Sequence, residues 1–322
     1  MAPHRKLQTA ALTLSATLLL GGTAVATPQA DVTADVTAGV APPVTAKPKP
    51  VPYSLPWQLR PVTAGNVVRS DTAVAMTTGA DGSSGTTVAS MLLVSYKVLP
   101  NFAPLVRVGY VNNNPSGDAA AGQSLVNPVV GGTYTFVLSP ELKLGAFLGV
   151  AVPVGMGGGN TPDAPTAAAA RSGILARSAM DNAMFAVNDL TVFPGVDLSY
   201  QKAGFTVQAE ATVLQLTRVR GEDVQADASK TNFTSGLHVG YFFHPMFSLG
   251  GEVRHQRWIV PPAAAKGTPA MHNTTAAVGP RFHFKLGDGY WLRPGIAYAT
   301  GFDKPMTASR YQIVQVDLPL AF

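Results

Sequence analysis

The amino-acid sequence predicts an all-β fold, a transmembrane antiparallel up-and-down β-barrel of twelve strands. Three observations lead there. From about residue 69 onward, segments of about ten to fifteen residues alternate in polarity. The connections between them alternate short and long. The final segment, Tyr311 to Phe322, carries Val314, Val316, Leu318, Leu320 and Phe322 at every second position. Alternate side chains of a strand point to opposite faces, so this strand has one wholly apolar face.

Composition agrees. Only 13% of the 322 residues are charged, 46% are hydrophobic, and Gly is abundant at 32. This suits a β-rich chain facing lipid better than an ordinary cytosolic enzyme. The absence of Cys excludes disulfides, Cys-ligated zinc and a thiol nucleophile.

The first 26 residues read as a secretory signal. His4, Arg5 and Lys6 form a basic start, Thr9 to Leu20 is mostly apolar, and Ala24–Val25–Ala26 is a small-residue cleavage site. The Gly21–Gly22 break and the A-x-A pattern favour cleavage over a retained anchor. Removing Arg5 and Lys6 leaves 21 basic against 18 acidic residues, too small an excess to imply nucleic acid. No other run approaches the roughly 18 apolar residues of a helical span, so a membrane would be crossed by strands. Residues 27–64 are rich in Pro, Ala, Thr and Val and read as an extended, poorly ordered leader. The alternative is a segment that docks in the barrel, for which Trp57 and Leu59 are the available apolar groups. The barrel is expected over residues 65–322.

Twelve segments follow: about 69–78, 86–98, 103–113, 125–138, 141–154, 188–200, 203–218, 230–244, 246–259, 271–286, 289–301 and 310–322. Strands of roughly 9–11 residues cross a bilayer when tilted. Short turns fall at Leu99–Pro100–Asn101, Ser139–Pro140, Gln201–Lys202, His244–Pro245 and Gly287–Asp288–Gly289; long loops fall near 79–85, 114–124, 155–187, 219–229, 260–270 and 302–309. An even strand count puts both ends of the sheet on the short-turn side, the periplasmic side in such barrels.

Alternation also assigns faces. Phe205, Val207, Ala209, Ala211 and Val213 oppose Thr206, Gln208, Glu210 and Thr212. Phe247, Leu249 and Val253 oppose Ser248, Glu252, Arg254 and Gln256. Aromatics gather near the short turns, as at Tyr96, Phe136, Tyr200, Phe205, Tyr241, Phe243, Phe247, Phe284, Tyr290 and Phe322. A thinner outer group contains Tyr110, Trp258, Tyr298 and Tyr311. Amphipathic rings suit the two headgroup boundaries.

On these residues, the terminal Val314, Val316, Leu318, Leu320 and Phe322 above all, residues 65–322 resemble Gram-negative outer-membrane β-barrel, porin-like proteins. Their C-terminal aromatic strand is an assembly signal. The resemblance implies export through the periplasm to the cell outer membrane. It implies periplasmic chaperones, the barrel-assembly machinery and outer-membrane lipid as partners.

The face opposite the apolar stripes supplies the lumen. Its expected residues are Arg107, Lys143, Asp197, Glu210, Glu252, Arg254, Arg281, His283, Lys285, Arg293 and Asp317, with His238 and spacing glycines at 145, 149, 236, 240, 250 and 295. One reading is a narrow channel whose modest basic excess passes small polar or weakly anionic solutes, with Arg254, Arg281 and Arg293 setting selectivity. The other is a closed lumen filled by a structural ladder of paired charges. A transporter of hydrophobic compounds is a further alternative. The longest loop, 155–187, is Ala-rich in its middle and suits a short helix. It resembles the third, pore-constricting loop of general porins in order and length only, and a surface loop is the other possibility.

No catalytic set, cofactor or metal site is expected. Gly155–Met156–Gly157–Gly158–Gly159 lacks the Lys–Ser/Thr of a phosphate loop. Outer-membrane phospholipases resemble this chain in strand count alone, and Ser248 and His255 face opposite ways on one segment. His272 and Asn273 have no matching Ser, and the acidic Glu222, Asp223 and Asp227 read as solvated loop charge. His238, Glu252 and His283 read as packing rather than as metal ligands. An outer-membrane hydrolase ranks below the other readings.

Overall fold

The computed structural model describes residues 52–79 and 81–322. The expected signal peptide and residues 27–51 of the leader lie outside the described residues. The strands are β1 (Val67–Thr78), β2 (Ser84–Ser95), β3 (Phe102–Asn114), β4 (Gly122–Leu125), β5 (Val129–Val137), β6 (Leu142–Ala151), β7 (Asp189–Lys202) and β8 (Phe205–Arg218). They continue as β9 (Ser229–His244), β10 (Phe247–Val260), β11 (His272–Phe282), β12 (Phe284–Lys285), β13 (Trp291–Leu292), β14 (Gly295–Gly301) and β15 (Gln312–Ala321). The pairs β4/β5, β11/β12 and β13/β14 each form one interrupted span, which makes twelve.

Every pairing is antiparallel, and β15 returns to β1 from Val67 opposite Ala321 to Met76 opposite Gln312. Closure leaves no edge strand with unpaired backbone groups, the condition for a sheet in lipid. The terminal apolar strand is therefore also the closing strand. Short turns lie at one end and long loops at the other, as the spacing predicted.

Burial is inverted relative to a soluble protein. Leu92, Val106, Val196, Leu237, Val253 and Ile296 are exposed on the outer wall, whereas Gln208, Glu252, Arg254 and Arg281 are buried. The alternation in β8 and β10 follows the predicted faces residue by residue. At the short-turn end, aromatic rings touch in series through Phe205, Tyr241, Phe243, Phe247, Phe282 and Phe284, and Tyr290 stacks on Phe322. The outer group is reduced. Trp258 and Tyr311 pack inward against the buried apolar cluster, while Tyr110 and Tyr298 remain outside.

The expected strand 125–138 is interrupted at Val126–Pro128. Pro128 has no N–H for the ladder. The Asn127 N–H donates to the Met184 carbonyl at 2.9 Å, and its side-chain Nδ2 donates to the Ala186 carbonyl at 2.9 Å. The wall is broken where it holds the longest loop.

That loop folds inward. Its helix α1 (Ala164–Ala176) begins at Asp163, whose carboxylate accepts from the Thr166 N–H at 3.0 Å, and runs through the predicted alanines. A left-handed turn at Ser178 and Ala179, with φ of 54° and 57°, leads to a second short helix, α2 (Asn182–Phe185). Such backbone costs roughly 1 kcal/mol or more per residue for a side chain with a Cβ. It is offset by lumen contacts: Ser178 Oγ accepts from Arg254 at 3.1 Å, and the Ser178 carbonyl accepts from Asn273 at 3.3 Å.

Candidate functional site

The lumen is occupied by two inserts of the chain's own making. The first is the stretch from Tyr53 to Ala64, which lies inside the short-turn half of the barrel. The expectation of a poorly ordered leader up to residue 64 is corrected for this part. Docking has a physical cause, because wall side chains satisfy the segment's backbone N–H groups. Glu252 accepts from the Trp57 N–H at 2.7 Å and the Gln58 N–H at 3.0 Å. Glu210 accepts from the Arg60 N–H at 2.7 Å, and Thr135 Oγ1 accepts from the Ala64 N–H at 2.7 Å. Arg69 donates to the Pro56 and Trp57 carbonyls at 3.0 and 2.5 Å.

Wall glycines make room for this segment. A Cβ at Gly236 would strike Leu59, one at Gly240 would strike Ser54, and one at Gly295 would lie 2.7 Å from the Trp57 ring. Of the lumen glycines noted in the sequence, Gly145, Gly236, Gly240 and Gly295 thus seat the inserted segment, whereas Gly149 makes room for Phe193 of the wall.

Charge completes the seat. Asp197 and Glu210 lie opposite one another on β7 and β8. No wall cation reaches them among the described residues; Arg60 of the segment does, at 3.6 Å from Asp197 and 3.2 Å from Glu210. Arg60 also lies over the Phe147 ring at 4.5 Å, and Arg281 lies over Trp57 at 4.4 Å.

The second insert is the loop carrying α1 and α2, in the long-loop half. Arg177 pairs with Asp71 on β1 and with Asp181 at 2.9 Å, and Arg107 on β3 pairs with Asp181 at 2.5 Å and Asp71 at 3.3 Å. Burial alone would raise the Asp181 carboxyl. Arg107 and Arg177 outweigh it and hold the group well below the usual carboxylate range. A carboxyl whose pKa is lower in the docked state contributes its stabilisation above the ordinary value of 3.8 and loses it as pH falls below that. The expected outcome is that the loop resists protease from pH 7 down to about pH 5 and is released only below about pH 4; release between pH 7 and 5 would contradict this pairing.

Between the inserts, one wall pair reaches both. Glu252 binds the first insert, Arg254 donates to Glu252 at 2.5 Å, and Arg254 also reaches Ser178 of the second insert.

The predicted lumen residues fall as follows. Glu210, Glu252 and Arg254 meet at the inserts, with Asp197 beside Glu210. Asp317 joins Arg281 at 2.5 Å to Arg69 at 2.7 Å beside the β1–β15 seam. Arg107 belongs to the loop clasp. Among the described residues, Lys143 reaches only Gln201, at 3.3 Å. Arg293 has no carboxylate partner among the described residues and lies 5.7 Å from the Trp291 ring. Lys285 is corrected. It is exposed in the turn region and pairs with Asp288 at 3.0 Å, because β12 ends there and the alternation no longer applies.

His283 hydrogen-bonds Ser248 at 2.8 Å, with both buried and no carboxylate on the ring among the described residues. His238 lies 3.8 Å from Glu252, and no metal-binding group of three occurs among the described residues. His255 bonds Thr274 on the outer wall.

Sequence reasoning missed Arg60, Arg69 and Asp71 as lumen residues. The adjacent carboxylates Asp197 and Glu210, with no cation facing them from a neighbouring strand, were the available signal.

No protein-family model and no curated protein matches the chain. Among solved structures, it is similar to the COG4313 outer membrane channel from Pseudomonas putida F1, with a TM-score of 0.52 and 12% identity over 83% of this chain and 98% of that one. It also aligns with the NanC porin (0.46, 10% identity, 79% and 98% covered) and the KdgM porin (0.45, 11%, 79% and 99%). The first likeness shows the fold alone: a closed antiparallel β-barrel of the kind that outer membrane channel has. At such identities none assigns a solute.

Proposed function

We propose that this protein is a gated outer-membrane channel, closed at rest by its own N-proximal segment and third long loop. Small, uncharged, polar solutes would pass when both move. One observation carries this reading. The buried charges, Glu252 and Arg254 above all, bind the inserts instead of lining a free passage. An arginine already hydrogen-bonded to a carboxylate offers little field to a passing anion. The fully buried arginines therefore support uncharged solutes more than weakly anionic ones. The long-loop mouth points the same way. Its cavity, about 260 Å³, is lined by hydroxyls and amides including Thr77, Thr87, Asn113, Asn114, Ser116 and Ser172. Lys143 and Arg293, near the short turns, are the basic groups left for a weakly anionic solute.

This role places the barrel in the outer membrane, reached through the periplasm with chaperones and the assembly machinery as transient partners. No step in it calls for catalysis or a cofactor. Planar-bilayer recording tests it: the intact protein should give brief, small openings, and variants freed at both inserts should give long ones. A bilayer that stays silent in both cases would leave a purely structural barrel.

A further inference from the structure

The cavity of about 260 Å³ at the long-loop mouth lies where the ends of β1, β2 and β3 meet helix α1 and the segment before β15. Its walls are held in place. Gly85 lets the loop after β3 close against β1: a Cβ there would lie 2.7 Å from Thr77 Oγ1 and 2.8 Å from the Ser116 nitrogen. The Thr78 N–H donates to the Ser309 carbonyl at 2.9 Å and ties the segment before β15 to the end of β1. One polar group is aimed. Asn113 is only 7% exposed, and its Oδ1 accepts from Thr87 Oγ1, its cross-strand neighbour, at 2.8 Å. That bond fixes which end of the amide turns to the cavity. The Nδ2 end has no partner among the described residues, yet it keeps accessible surface. The hydroxyls of Thr77, Ser116, Ser309 and Tyr311 are likewise unpaired among the described residues and open. Ser172 of α1 gives its proton to the Ala169 carbonyl at 2.8 Å and so presents lone pairs.

We infer that this cavity binds a neutral saccharide of up to disaccharide size. Size sets the scale. At about 10–15 Å³ per water-sized sphere, the space takes roughly twenty non-hydrogen atoms, about those of a disaccharide. Charge sets the class. No charged side chain lines the cavity among the described residues, so an ionic ligand would find no counter-charge in it. Hydrogen bonding narrows the class further. Hydroxyls donate and accept, and the hydroxyls of a sugar do the same, so each can be matched by its like. An apolar solute would cover the Asn113 amide and leave it unpaired, which is costly. Tyr311 adds an aromatic surface for the C–H face of a sugar ring. Because Ser172 belongs to the second insert, the bound sugar would touch both the wall and the loop that closes the lumen. This inference deepens the gated-channel reading and rests on it for its role in transport; the binding itself is measured separately.

The test is a saturation-transfer NMR titration of the full-length barrel in lauryldimethylamine oxide, a detergent without a sugar head group. The probes are maltose, cellobiose and lactose, with lactobionate as the anionic counterpart of lactose. At least one neutral disaccharide should receive saturation, and lactobionate should bind at least tenfold more weakly than the best of them. Asn113→Leu and Thr77→Val should each weaken that neutral sugar about fivefold, the effect of one hydrogen bond. The unboiled gel mobility of each variant reports whether it is folded. No transfer to any neutral disaccharide would mean a hydrated mouth only and overturn the site. Lactobionate binding as tightly as the neutral sugars would overturn the class. If Asn113→Leu does not fold, Thr77→Val decides alone, and an unchanged affinity overturns the proposal. Binding without conductance would sink the channel and leave the sugar site; conductance without binding would do the reverse.

Discussion

The double variant Arg60→Met, Arg177→Met is expected to hold a long-lived open state in a planar bilayer, with mean open time at least tenfold above that of the intact protein. Each substitution removes the cation that one insert itself brings to the wall carboxylates. Without Arg60, Asp197 and Glu210 stand side by side and unneutralised. Breaking a buried pair by deleting one partner costs about 3–5 kcal/mol. That is enough to shift a docked segment by two or more decades in population, at about 1.4 kcal/mol per decade. Without Arg177, Asp71 and Asp181 share only Arg107. The inserts occupy opposite halves of the lumen, so they act in series, and either single variant should conduct little. Rescue distinguishes docking from general damage. Adding Asp197→Asn and Glu210→Gln to Arg60→Met removes the stranded charges and should restore closure at that insert. Long openings in Arg60→Met alone would mean that the loop contributes no barrier.

Asp317→Asn is expected to lower the heat resistance of the folded barrel more than any lumen substitution away from the seam. Asp317 accepts from Arg69 at 2.7 and 3.0 Å and from Arg281 at 2.5 Å. It lies on β15, opposite Asp71 of β1, where the sheet closes. Its loss leaves two buried guanidinium groups facing each other across the closing seam, a cost of about 3–5 kcal/mol. The measurement is the temperature at which the fast-migrating folded band converts to the unfolded one on a gel. Asp317→Glu keeps the charge and should lose less. If the asparagine variant converts at the wild-type temperature, the arginines are hydrated rather than held by Asp317.

Much of the barrel was legible in the sequence because a span in lipid has few solutions. Alternation in β8 and β10, the parity of short and long connections, and the stripe ending at Phe322 each follow from strand geometry and the need to satisfy backbone groups. Lys285 shows where that logic stops. Alternation assigns a face only while the strand continues, and β12 is two residues long. The interruption at Asn127 was hidden for a related reason, since its cause is a hydrogen bond to a loop about sixty residues away.

By itself, then, the sequence determined the barrel, its strand number, its closing strand and the inward faces of regular strands such as β8 and β10. All of these depend on local periodicity. The tertiary structure decided what fills the lumen. Arg60 reaches Asp197 and Glu210 across a separation of about 140–150 residues, and Ser178 reaches Arg254 across 76. No periodic signal encodes such pairings. They arise because carboxylates and glycines on separate strands converge, once the sheet is closed, on a space that the chain's own segments fit.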